Sequence, residues 1–366
     1  MSERLRNWGV SIGTQPTGRL NAITDVPGVR VGHAEVVFGE GRCAPGQGPA
    51  RTGVTAIWPA DGHLFDSKVA AAVHVINGFG KTTGLMQLAE LGSIETPILI
   101  TNTLNVGRCF DALVDYLAFY AKWDFVSINP IVMECNDSFL NDILGRHVHA
   151  EHVRKALDQA TTENAAEGNV GAGTGMSCYH FKGGMGTASR KLEIAGSTFH
   201  LGSLVCANMG RMEDLRIDGV PVGRELAKHP DDAPEQGSII MLLATDAPLD
   251  SRQLARLAKR ATHGLARTGT YSGSGSGDVV VAWSASHRIP RQSEAPYVEG
   301  PRWLDTHLEP LFRAAADTTE EAILNALWAA EPMTGRDGNS RPAIPKPRVR
   351  GIMRRAGYAF REGEDA

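Results

Sequence analysis

Gly237-Ser238 stands at the head of an apolar run, Ile239 to Ala244, and behind a polar stretch beginning at Pro230. A serine hydroxyl is a weak nucleophile unless a base takes its proton. If the bond between Gly237 and Ser238 is broken, Ser238 gains a free α-amine beside its own hydroxyl. Such an amine titrates near about 7.7–8.0, so part of it is unprotonated at neutral pH and can act as general base. The same hydroxyl can make the cut, attacking the Gly237 carbonyl in an N-to-O shift whose ester water then hydrolyses. Glycine suits the acyl side because it has no Cβ and tolerates unusual backbone angles. The dipeptide alone is common, and a surface loop running into a strand is the ordinary alternative.

Other chemical patterns fall short. Gly80-Lys81-Thr82 looks like the end of a phosphate-binding loop, but Val75 stands where the first glycine is needed. The glycine-rich stretches Gly171 to Gly175 and Gly273 to Gly277 do not have the dinucleotide-binding spacing, and no serine sits in a G-x-S-x-G elbow. His147, His149 and His152 cluster among polar residues, which predicts a solvated helix face before it predicts a metal site. No metal ligand set and no cofactor motif emerges. The five cysteines (Cys43, Cys109, Cys135, Cys178, Cys206) are dispersed, without a C-x-x-C pair, as expected of small buried residues in a reducing cytoplasm.

The elements that must position Ser238 follow from periodicity. Gly53 to Trp58, Pro97 to Thr101, Gly237 to Thr245 and Asp278 to Trp283 read as buried strands. Arg252 to Leu265 keeps one apolar face and reads as a helix. Thr318-Thr-Glu-Glu321 matches a capping box that would open a helix ended by Pro332. Alternating strands and helices give an α/β or layered α+β class. The chain has 366 residues, 42% hydrophobic and 21% charged, with a formal net charge of −4, so it lacks the basic footprint of a nucleic-acid binder. Residues 1–20 hold no apolar run like a signal peptide, and no segment approaches a membrane span, so no membrane partner is expected.

A set of ordered motifs is more specific than any of these signals. The stretches Asn21 to His33 (NAITDVPGVRVGH), Thr96 to Gly107, Glu134 to Asp142, Gly171 to Gly175, Lys182 to Arg190, Cys206 to Gly210, Gly237 to Leu249, Gly275 to Asp278 and Met333 to Gly338 run through nearly the whole sequence. In this order they resemble the L-aminopeptidase/D-amidase-esterase and β-peptidyl aminopeptidase family, among the self-processing N-terminal-nucleophile-like hydrolases. The resemblance implies an α+β fold, a four-layer αββα sandwich forming one large domain from two self-cleaved chains. These are an α chain of residues 1–237 and a β chain of residues 238–366 that begins with the nucleophile. It implies a serine aminopeptidase or amidase acting on small peptides, amino-acid amides or esters through an acyl-enzyme. No cofactor is implied, and the assembly is a homo-oligomer, a tetramer of αβ heterodimers.

By the same resemblance Ser238 is the nucleophile and Asn208 donates to the oxyanion. Ser276 and Asp278 hold the new amine, Asp278 standing where β-peptidyl relatives carry Glu. A turn asparagine at 208 and a plain glycine-rich turn at 275–278 are the structural alternatives. Asn136, where some relatives carry Tyr, is a substrate-pocket or oxyanion candidate. Lys81 and Thr82 depart from the family's acidic-Leu pattern, which bears on substrate charge. Two rival readings are an acyltransferase of the ornithine acetyltransferase type, whose nucleophile is usually Thr, and an uncleaved non-catalytic scaffold.

Overall fold

The computed structural model describes residues 4–163, 165–227 and 237–360. Of the polar stretch read as a processing loop, residues 230–236 lie outside the described residues, whereas Gly237 falls within them.

Two sheets form the middle of the molecule. One has the strand order β1 (Arg30–Phe38), β2 (Ala50–Trp58), β5 (Ile98–Asn102), β6 (Ile131–Cys135). The other runs β4 (Ser93–Ile94), β3 (Ser67–Gly78), β12 (Gly277–Pro290), β11 (Ser238–Thr245), β10 (Ser197–Asn208), β9 (Gly184–Ile194). Two small hairpins, β7 with β8 (Ser177–Cys178, Phe181–Lys182) and β13 with β14 (Met333–Thr334, Ser340–Arg341), lie outside these sheets. The helices are α1 (Leu85–Leu91), α2 (Val106–Asp115), α3 (Ala150–Asp158), α4 (Val222–Leu226), α5 (Ser251–Arg267), α6 (Glu309–Ala329) and α7 (Lys346–Arg355).

The alternation along β11 explains the layering. Ile240, Leu242 and Ala244 pack into the core shared with the four-stranded sheet, while Ile239, Met241 and Leu243 face a second core with α5 and α6. A strand covered on both faces must be apolar at every position, which is why its sequence is a continuous run. Each such Ile or Leu stabilises the fold by about 1.5–3 kcal/mol through burial. Helices α2 and α3 cover the far side of the four-stranded sheet, and α5 and α6 that of the six-stranded one. The result is the expected αββα sandwich.

Helix α5 begins at an N-cap Asp250, whose side chain accepts from Gln253 N at 2.7 Å. The expected capping box at Thr318 is not a helix start: α6 runs from Glu309 straight through it. Thr318 and Thr319 instead bond back to the carbonyls of Ala314 and Ala315, at 2.7 and 2.8 Å. Glu321 is buried, where Arg6 and Arg190 reach it. The three histidines do not share a solvated helix face either. His147 precedes α3 and is buried, with Nε2 3.0 Å from Asp142 Oδ2; His149 is the residue before the helix, and only His152 is in it. Among the described residues, no helix is long and apolar enough to cross a membrane.

Candidate active site

Ser238 is the first residue of β11, with Asn208 opposite it on β10 and Gly277 on β12. Its Oγ accepts a hydrogen bond from Gly277 N at 3.1 Å. Gly237 adopts a φ of +123°, and a Cβ built there would fall 2.0 Å from the Asn208 carbonyl oxygen. Only glycine fits this approach. Beneath the strand, the buried Cys135 thiol donates to the Ser238 carbonyl at 3.4 Å. Burial holds its pKa well above the usual thiol value, so it stays protonated and inert.

Ser276 and Asp278 are joined by a hydrogen bond from the Ser276 hydroxyl to Asp278 Oδ1, which also accepts from Ile239 N at 3.1 Å. Both are buried. Burial pushes the Asp278 carboxyl upward, against donors at Ser276, Ser272 and Ile239 that favour the charged form. The Asn77 amide donates to the carbonyls of Gly273 and Ser274 at 3.2 Å and also to that of Ser276, pinning the glycine-rich turn.

The Asn208 side chain is fixed at both ends: Oδ1 accepts from Ser177 N at 2.8 Å and Nδ2 donates to the Asn136 carbonyl at 2.9 Å. The Asn136 side chain accepts from Ser138 N at 3.0 Å. Gly237, Ser238, Asn208 and Asn136 all line a cleft of about 760 Å³, large enough for a small peptide. Gly275 is on its wall, and Ser276 and Asp278 follow in the same turn, buried next to the strand that Ser238 opens. The fold therefore brings Gly237, Ser238, Asn208 and Asn136 to one cleft, while Asp278 is tied to Ile239, the residue after Ser238, and to Ser276.

Three charged cleft residues, Glu134, Arg211 and Arg341, stand outside those expected from the sequence. Glu134 is buried near the end of β6; its Oε1 accepts from Lys81 N at 2.8 Å, and its Oε2 accepts from the Thr103 hydroxyl. The signal was present, since a carboxylate interrupts the apolar Ile131-Val-Met run. Arg341, from β14, donates through Nε to Ser177 Oγ at 3.1 Å and lies 3.6 Å over the Phe139 ring. Nothing in its local sequence marked it. Lys81 turns its ammonium to the Phe79 carbonyl at 2.8 Å and to the Phe79 ring.

A four-layer sandwich with a buried serine opening a central strand has the architecture of the Ntn-type hydrolases. The sequence pattern described as Peptidase family S58 matches residues 21–341. The β-peptidyl aminopeptidase BapA of Sphingosinicella microcystinivorans is 41% identical, over 96% of this chain and 92% of that protein. The PH0078 protein of Pyrococcus horikoshii OT3 superposes with a TM-score of 0.93 at 50% identity, covering 98% of this chain and 100% of that one. The L-aminopeptidase D-Ala-esterase/amidase of Ochrobactrum anthropi, described as a variant of the Ntn hydrolase fold, gives 0.90 at 41% identity, over 97% and 99%. The chain belongs to Peptidase family S58 and is an aminopeptidase/amidase hydrolase.

Proposed function

We propose that this peptidase cuts itself between Gly237 and Ser238, giving chains of residues 1–237 and 238–366, and that Ser238 then serves as an N-terminal nucleophile. Ser238 Oγ attacks the Gly237 carbonyl carbon. The C–N bond breaks as the hydroxyl proton passes to the departing nitrogen, and water hydrolyses the resulting ester. The freed α-amine becomes the general base, with Ser276 and Asp278 behind it to hold its orientation.

In turnover the amine takes the Ser238 proton as Oγ adds to the substrate carbonyl, and returns it to the leaving amine. Water then adds to the acyl-enzyme, giving a proton to the α-amine, which passes it to Ser238 Oγ as the C–O bond breaks and the acid leaves. The Asn208 amide, fixed by Ser177 and Asn136, donates its remaining hydrogen to the oxyanion. Asn136 borders the substrate. Glu134 receives the free ammonium of a small peptide, amino-acid amide or ester, as a buried carboxylate facing the cleft is suited to do.

The observation that carries this reading is the placement of Ser238: its hydroxyl faces the cleft at the start of a buried strand, behind a glycine that no other residue can replace. Ser238→Ala is expected to remain one species near 39.2 kDa by intact mass and to lose at least about 10⁴-fold in amide hydrolysis. Two fragments from that variant would sink the proposal. The peptidase assignment and the serine at 238 favour hydrolysis over acyl transfer.

We also propose a tetramer of the cleaved heterodimers, for whose interfaces exposed large apolar side chains such as Met86, Phe119 and Val126 are available. A cytoplasmic setting is supported by the five cysteines, all free thiols.

A further inference from the structure

Arg341 has an unusual setting for a cleft cation. Its guanidinium is half-buried, stacked on Phe139 and bonded through Nε to Ser177 Oγ. It forms no ion pair with any carboxylate of the described residues, and burial alone draws its pKa down. The other Arg and Lys side chains on this cleft are engaged: Arg211 with Glu213 and Asp214, Lys81 with the Phe79 carbonyl and ring. Among the described residues, Arg341 therefore keeps the two terminal nitrogens of its fork without a protein acceptor. A desolvated guanidinium with a free fork is a bidentate carboxylate receptor.

Its place relative to the reacting atoms is set by one residue. Ser177 takes the Arg341 Nε hydrogen on its hydroxyl and gives its backbone hydrogen to Asn208 Oδ1, and Asn208 lies opposite Ser238. Glu134 belongs to a different wall, held by Lys81 and Thr103. The cleft thus offers a carboxylate held by Lys81 and Thr103 and, among the described residues, a guanidinium without a carboxylate partner held by Ser177.

We propose that Arg341 forms a carboxylate subsite for the leaving side of the substrate, so that the enzyme selects short peptides carrying a carboxylate beyond the scissile bond over the matching neutral amides. This rests on the function proposed above, in which Glu134 takes the substrate amine and Ser238 the carbonyl. The carboxylate is either the C-terminal one of a dipeptide or an acidic side chain on the leaving residue.

The test compares kcat/KM for β-alanyl-alanine, β-alanyl-alaninamide and β-alanyl-glutamate amide, together with the L-alanyl series. The wild-type enzyme should favour the free acid over its amide by about 10- to 100-fold, mostly through KM. Recovery of that preference by the glutamate amide assigns the subsite to side-chain carboxylates; its absence assigns it to the C-terminal one. Arg341→Gln should reduce the acid-to-amide ratio toward one, and Arg341→Lys should leave an intermediate ratio. Equal wild-type rates on acid and amide overturn the subsite while leaving the peptidase reading intact, and so does a ratio that Arg341→Gln does not move. No turnover of any peptide by protein that remains a single chain overturns both.

Discussion

Asn208 has one amide hydrogen left after its bonds to Ser177 and Asn136, and its carbonyl oxygen is the atom that excludes a side chain at 237. One residue therefore bears on both the glycine and the proposed oxyanion. Asn208→Ala should lower kcat by about 10²–10³-fold with a smaller effect on KM, measured on material whose cleavage has been verified by mass. An unchanged kcat would remove Asn208 from the oxyanion role. At this scale the sequence was informative where chemistry and local pattern coincide, as at Ser238, where a hydroxyl meets an apolar run. It was silent at Arg341, whose position depends on the C-terminal hairpin meeting Ser177 and Phe139, and tertiary meetings leave no local trace. Several motif residues that look chemical turn out to hold the scaffold. The Lys182 ammonium bonds the Gly173 and Gly183 carbonyls at 2.9 and 2.8 Å, with burial lowering its pKa to about 7. His33 is half-buried against Thr55, and desolvation lowers its pKa to about 4.

At the level of elements, the site depends on how β11 starts. The strand enters the sheet beside β10 with Gly237 pressed against the β10 backbone, so residue 237 cannot relax sideways. Gly237→Ala would force a Cβ against the Asn208 carbonyl at a φ unfavourable to alanine. Its self-cleavage, followed by intact mass over time, should slow by at least about tenfold. Cleavage at the parental rate would show that the close approach is irrelevant to maturation. Helix α5 was readable because one of its faces is wet, giving the apolar residues a period. The start of helix α6 is hidden in the sequence because most of the helix is buried, so its period is masked and the internal Thr-Thr-Glu-Glu resembles a start.

Over the whole molecule, Glu321 is the buried charge on which distant segments converge. It receives Arg190 Nη2 at 2.6 Å, Arg6 Nη2 at 2.8 Å and Asn21 Nδ2 at 2.7 Å. Burial opposes its ionisation, but Arg6 and Arg190 prevail and hold its pKa below the usual value. A carboxyl depressed in the folded state contributes stability that is present above its unfolded pKa and lost as pH falls through the folded one. Glu321→Gln should therefore cost about 3 kcal/mol or more near neutrality, by denaturant unfolding. The gap to wild type should narrow in acid, below about pH 4.5. A gap independent of pH would mean that the loss is one of packing. The strand order has a further outcome under the proposed scission. β11 and β12 lie side by side within the six-stranded sheet, with β3 on one flank and β10 on the other. Neither fragment can complete that sheet alone. The two would be inseparable by dilution, in one-to-one ratio for the life of the molecule, and parting them would amount to unfolding.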